Sequence, residues 1–86
     1  MRDQQIRTRL IEAVRKEPRV FLSRDLDTAK PEDRLREDLG LDSVGLLYVV
    51  MAIEDAFGIA VDDAEDLAEG FTTWGALVSF VSERAP

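Results

Sequence analysis

The chain has 86 residues, 45% of them hydrophobic and 34% charged, and a net charge of −7 with neither cysteine nor histidine. This size fits one small domain over residues 1–86, and the composition excludes a disulfide framework, thiolate metal ligation and any catalytic device built on imidazole. Charge is unevenly spread: residues 1–36 hold ten basic and seven acidic groups, whereas residues 37–86 hold one basic group, Arg84, and eleven acidic ones. The acidic part would repel phosphates, which argues against nucleic acid, and it suits either steering toward basic protein surfaces or plain solubility.

The N-terminus, "MRDQQIRTRL", lacks the apolar core and cleavage site of a secretory signal, and Arg, Asp or Glu interrupts every apolar run that could span a bilayer. The expectation is a cytoplasmic protein without a membrane partner, working as a monomer. Ile6, Leu10, Ala13 and Val14 recur at helical spacing and predict a first helix, with Asp3 as its cap and Arg15 and Lys16 at its basic end. Pro18 ends it and pushes Glu17 toward extended backbone. A long connection follows, residues 17–42, in which "KPEDRLREDLG" predicts a short helical turn with Pro31 at its first position and Gly40 at its stop. Val20, Phe21, Leu22, Leu26, Leu35 and Leu39 are expected to pin this connection to the core.

A second helix is predicted from Ser43 to Phe57, capped by Asp42 and stopped by Gly58. A short third helix is expected over Ala64–Glu69, with Asp62 or Asp63 as cap and Gly70 as stop. The last begins after Thr72 or Thr73, with Trp74, Leu77, Val78 and Val81 in helical register and Phe80 beside them. No strand-like alternation with turn signals occurs, so the expected fold is an all-α bundle.

The second helix is apolar on two sides. Leu46, Val49, Val50, Ile53 and Phe57 share one face, an ordinary core stripe. Val44, Leu47, Tyr48 and Met51 share roughly the opposite face, before Glu54 and Asp55 take over that side. Either the 17–42 connection covers this second stripe, or it is a partner site next to Ser43; Met51 and Tyr48 are residue types that suit an exposed docking surface.

Ser43 is poorly served as a catalytic nucleophile, because the chain has no histidine base and "LDSVG" misses the nucleophile-elbow pattern. Metals fare no better. "DLDTAKPEDRLR" starts like a calcium loop with Asp25 and Asp27 but offers Ala29, Lys30 and Arg36 where a ligand, a glycine and a glutamate are needed. What remains is a serine at a helix N-terminus, where backbone N–H groups and the helix dipole favour an attached anion such as a phosphate ester. Local physics alone favours the simpler reading, a second capping residue.

"DLGLDSVGLLYVVMAIEDAFGI", residues 38–59, resembles the signature of acyl carrier proteins. Asp38, Leu39, Gly40, Asp42 and Ser43 match the family's Asp-Leu-Gly-x-Asp-Ser box, and Glu54, Phe57 and Gly58 match its helix end. "FTTWGALVSFV", residues 71–81, resembles the family's fourth helix, so the likeness covers essentially the whole chain. It implies a four-helix bundle with a long first loop and a short third helix. It further implies that Ser43 carries 4′-phosphopantetheine, moved from coenzyme A by a separate phosphopantetheinyl transferase, and that the arm's thiol holds an acyl group as a thioester. The protein is then a carrier with no catalysis of its own, visited by acyl-loading and acyl-processing enzymes. Asp42, Val44, Leu47, Tyr48 and Met51 fall at or beside the family's recognition surface, and Leu46, Val49, Ile53, Trp74 and Leu77 are candidates to line a cargo cavity.

Two departures bear on the pathway. Fatty-acid-synthesis carriers usually place acidic residues where Gly45 and Tyr48 stand, and "VDDAEDLAEGFTTW" is slightly longer than the usual fatty-acid form. The first makes the docking face more apolar than standard fatty-acid enzymes would meet. The second resembles discrete carriers of polyketide or nonribosomal-peptide pathways, or those loading amino acids, and the expectation is a stand-alone carrier in specialised metabolism. An aminoacyl or peptidyl carrier is the nearest alternative, an unmodified helical adaptor the alternative from another class, and a small hydrolase the weakest.

Overall fold

The computed structural model describes residues 3–61, 67 and 70–85. Three α-helices stand in this part of the chain: α1 (Asp3–Arg15), α2 (Ser43–Phe57) and α3 (Trp74–Arg84). No strand occurs among the described residues, only an isolated backbone bridge between Arg34 and Thr73. The fold is all-α, as the sequence predicts. Leu67 and Gly70 have helical backbone, and the Phe71 N–H reaches the Leu67 carbonyl at 3.2 Å, at the place expected for the short third helix. The rest of Ala64–Glu69, the caps assigned to Asp62 or Asp63, and the side chain of Asp3 lie outside the described residues.

α1 buries Ile6, Leu10 and Val14, with Ile11 beside them, while Ala13 stays at the edge. It packs against both α2 and α3. From those helices Val49, Ile53, Phe57, Leu77, Phe80 and Val81 complete one contiguous core, the usual arrangement for a domain this small. Arg9 ties the helix ends together, donating to the Ala56 carbonyl at 2.9 Å and lying over the Phe57 ring.

The long connection is held by chemistry as well as by apolar burial. A single 3-10 turn (Leu26–Thr28) forms where none is expected, capped by the Asp25 carboxylate. Arg15 bridges Asp25 and Asp27 at 2.5 and 2.7 Å, so the two carboxylates that begin like a calcium loop are engaged by α1. Leu26, Leu35 and Leu39 are buried, and Val20 and Leu22 pack partly against the core. Phe21 departs from expectation and is 80% exposed. Residues 20–22 are not helical, and in extended chain neighbouring side chains alternate, so turning Val20 and Leu22 inward turns Phe21 out.

Pro31 does not open a helix. It sits second in a four-residue turn closed by the Asp33 N–H on the Lys30 carbonyl at 3.0 Å, a place that suits its fixed φ. The helical turn of this segment comes later, where the N–H groups of Asp38 and Leu39 both reach the Arg34 carbonyl at 3.0 Å. Gly40 ends it at φ 80°, in the left-handed region that glycine alone enters without strain. Ser23 then packs against Gly40, its N–H on the Leu39 carbonyl at 2.9 Å.

The same connection supplies an N-terminal cap to α3. The first helical N–H groups lack intrahelical acceptors. Here the Trp74 N–H goes to the Asp33 carbonyl at 2.8 Å, the Gly75 N–H to the Pro31 carbonyl at 2.9 Å, and the Ala76 N–H to Thr73 Oγ1 at 3.1 Å. Thr73 is thus the cap, and the Leu35 N–H on the Thr72 carbonyl extends the contact. Among the described residues no helix is long and apolar enough to cross a membrane.

Candidate functional site

Ser43 is the first residue of α2, exposed, and placed by a well-formed cap. Asp42 lies in extended backbone and its carboxylate accepts the Gly45 N–H at 2.6 Å, while its carbonyl accepts the Leu46 N–H at 2.9 Å. The N–H groups of Ser43 and Val44 have no acceptor among the described residues. At the far end, Gly58 stops the helix at φ 66°, and Glu54 turns its carboxylate onto the Val61 N–H at 2.9 Å instead of into solvent. Asp42 and Gly58 are the cap and stop that the sequence predicts.

A side chain outside the expected set reaches the serine: the Arg36 guanidinium donates to Ser43 Oγ at 3.2 Å. Among the described residues no carboxylate pairs with Arg36. Its neighbour on the same turn, Arg34, is occupied by Glu37 at 3.1 Å and Asp38 at 3.4 Å. The Arg34 backbone N–H, the Arg34 guanidinium and the Arg24 charge hold the Asp38 carboxyl below its ordinary range. Arg36 is hard to pick out in sequence because it stands seven residues before Ser43, across a turn that folds back. The available signal is the burial of Leu35 and Leu39 four residues apart, which leaves Arg36 on the outer side.

Beside Ser43 runs an open groove of about 770 Å³, within the range of small-molecule sites. Leu46, Leu47, Val50, Val61, Leu67 and Phe71 give it an apolar lining, with Arg34, Arg36, Glu37, Ser43, Thr72 and Thr73 at its polar rim. Of the five residues expected to line a cargo cavity, only Leu46 borders it. Val49, Ile53, Trp74 and Leu77 are at most 2% exposed and belong to the solid core. The physical reason is the helix register: α1 packs against α2 and the core closes over Val49 and Ile53, so space is left at the flank bearing Leu46 and Val50. The Trp74 indole N–H is buried without an acceptor among the described residues. Val61, Leu67 and Phe71 reach the groove only through tertiary packing, which no local pattern announces.

The second apolar stripe of α2 is largely open. Val44 and Leu47 are each 58% exposed and Met51 is 47% exposed. The connection covers Tyr48 alone, through the Arg19 guanidinium 4.0 Å from its ring centre. Glu17 holds that arginine in place at 2.6 Å. α2 carries no acidic residue in its first turn, so the surface around Ser43 is apolar next to Asp42.

A comparison with protein families matches residues 8–81 to the phosphopantetheine attachment site. The match spans most of the chain and encloses the Asp-Leu-Gly-x-Asp-Ser box, the cap at Asp42 and the start of α3. The chain therefore belongs to the phosphopantetheine attachment-site family, that of the acyl carrier proteins, whose cofactor is a covalently bound 4′-phosphopantetheine.

Proposed function

We propose that Ser43 is the attachment point of the arm and that the protein carries acyl intermediates as thioesters between partner enzymes. The observation that carries this reading is the exposed Ser43 hydroxyl at the capped start of α2, beside an apolar groove. The residues present fit the group. The Ser43 and Val44 N–H groups, without an acceptor among the described residues, stand at the start of α2 together with the Arg36 guanidinium, and the groove offers an apolar bed for a chain leading away from Ser43. When bound, the arm supplies a terminal thiol, the sulfur that a chain without cysteine lacks. Catalysis would then belong to a phosphopantetheinyl transferase and to the acyl-loading and acyl-processing enzymes, since the chain has no histidine to activate a serine.

Asp42, Val44, Leu47, Tyr48 and Met51 would form the recognition surface, with Arg19 stacked on Tyr48 shaping its edge. Exposed apolar side chains of this size, rimmed by polar ones, mark docking surfaces. The absence of acid from the first turn of α2 favours partners of polyketide type over enzymes that read an acidic helix. The same apolar face also suits an aminoacyl or peptidyl carrier, and trapping the native thioester separates the two.

Incubation with coenzyme A and a broad-specificity transferase, followed by intact-mass analysis, tests the attachment. The expected result is a gain of one phosphopantetheine that disappears in Ser43→Ala. No gain under conditions that load a control carrier would instead favour an unmodified helical adaptor.

A further inference from the structure

We propose that Arg36 is the positioning residue that clasps the phosphodiester of the loaded protein and sets the arm off along the groove. This rests on Ser43 being the attachment point. Attachment forms a bond from Ser43 Oγ to phosphorus, breaks the pyrophosphate linkage of coenzyme A and releases adenosine 3′,5′-bisphosphate and the hydroxyl proton. The resulting phosphodiester places one negative charge on the non-bridging oxygens of the phosphorus bonded to the atom that Arg36 already contacts at 3.2 Å. A guanidinium matches phosphate oxygens with paired N–H donors and stays charged throughout the accessible pH range.

The surroundings leave Arg36 available for this. Among the described residues the nearby carboxylates are committed elsewhere: Glu37 and Asp38 to Arg34, and Asp42 to the Gly45 N–H. Arg34 borders the same groove but is held by those two carboxylates, so it is the weaker candidate despite its closeness. Arg36 also lines the groove, together with Leu46, Leu47 and Val50. A phosphate gripped from that side has its remaining substituent directed toward the apolar lining. Gripping it would also replace a guanidinium–hydroxyl hydrogen bond by one in which both partners are charged, so the contact is stronger in the loaded state than in the unloaded one.

The test uses wild type, Arg36→Gln and Arg36→Lys, each loaded with the arm by transferase and coenzyme A and verified by intact mass, with Ser43→Ala as the attachment control. Circular dichroism confirms the fold of each. Phosphorus NMR of the diester is recorded at low and high salt. In the wild type the resonance is expected to be broad and to move with salt, because screening loosens an exposed ion pair. In Arg36→Gln it should be narrower, displaced from the wild-type position and insensitive to salt, with Arg36→Lys between the two. Coincident resonances of equal width in wild type and Arg36→Gln would overturn the clasp while leaving the attachment intact. If Arg36→Gln does not fold, an Arg36→Lys resonance identical to wild type at both salt levels overturns it equally. A wild type that takes up no arm, or a Ser43→Ala that still does, overturns the attachment and the clasp together.

Discussion

Replacing Leu47 by glutamate separates a docking face from a core face. Leu47 is 58% exposed in the free protein, and that exposed part is what a partner can bury. Fully burying a leucine side chain contributes about 1.5–3 kcal/mol. Scaling by the exposed fraction gives about 0.9–1.7 kcal/mol, or roughly a 4- to 20-fold change in affinity. Glutamate forfeits that contact and adds a carboxylate to be desolvated against the partner. The KM of the transferase for Leu47→Glu, followed by intact mass, should therefore rise at least about fourfold. Unfolding stability should move by no more than about 0.5 kcal/mol, as for an ordinary surface substitution. Val50, one turn away and 7% exposed, gives the contrast: Val50→Glu should unfold the protein. A Leu47→Glu protein that unfolds, or one that is loaded with unchanged KM, would refute the assignment of this face to docking.

Two further outcomes follow from the serine box. Asp42→Ala removes the 2.6 Å bond to the Gly45 N–H and should cost about 1 kcal/mol, a fall of about 4–8 °C in Tm, whereas Asp42→Ser restores most of it; equal midpoints for wild type and alanine variant in thermal melts would show that the cap contributes nothing. Asp38 is held below its ordinary value of 3.8, first by the Arg34 backbone N–H and then by the arginine charges around it. A carboxyl depressed in the folded state lends stability above its unfolded value and loses it as pH falls through the folded one. The gap in urea midpoint between wild type and Asp38→Asn should be widest near neutrality and close on acidification below 3.8; a gap that stays constant to the acid limit contradicts this.

α2 was legible almost to the residue because its signals are local: a carboxylate cap at Asp42, apolar residues at helical spacing, and a glycine where the chain must turn left-handed. The start of α3 was legible to within one residue, Thr72 or Thr73, and the structure places the cap at Thr73. The connection was legible only in its buried leucines. Its backbone bonds to Thr72, Trp74 and Gly75 join segments far apart in sequence, and hydrophobic periodicity carries no information about such pairings. The groove shows the same limit. Reading the α2 stripe as core was correct for Val49 and Ile53, but which flank stays open depends on where α1 and the rest of the chain settle against α2. Phe21 was misplaced because apolar character alone does not tell which side of an extended segment faces inward. Arg36 went unnoticed because its role depends on a folded-back turn, not on spacing along the chain.

The cap of α3 is borrowed from carbonyls roughly forty residues upstream. The helix and the connection therefore share donors and acceptors, and neither can open without exposing polar groups of the other. They should exchange their amide hydrogens as one cooperative unit, with the protection of the Trp74 and Gly75 amides rising and falling with that of Leu35. A loop of this length would ordinarily be the loosest part of a small domain. Here it is fastened to the start of α3 by the shared bonds of Pro31, Asp33 and Leu35. Loosening the connection would therefore release the first turn of α3 and, with it, the turn that holds Arg36 against Ser43.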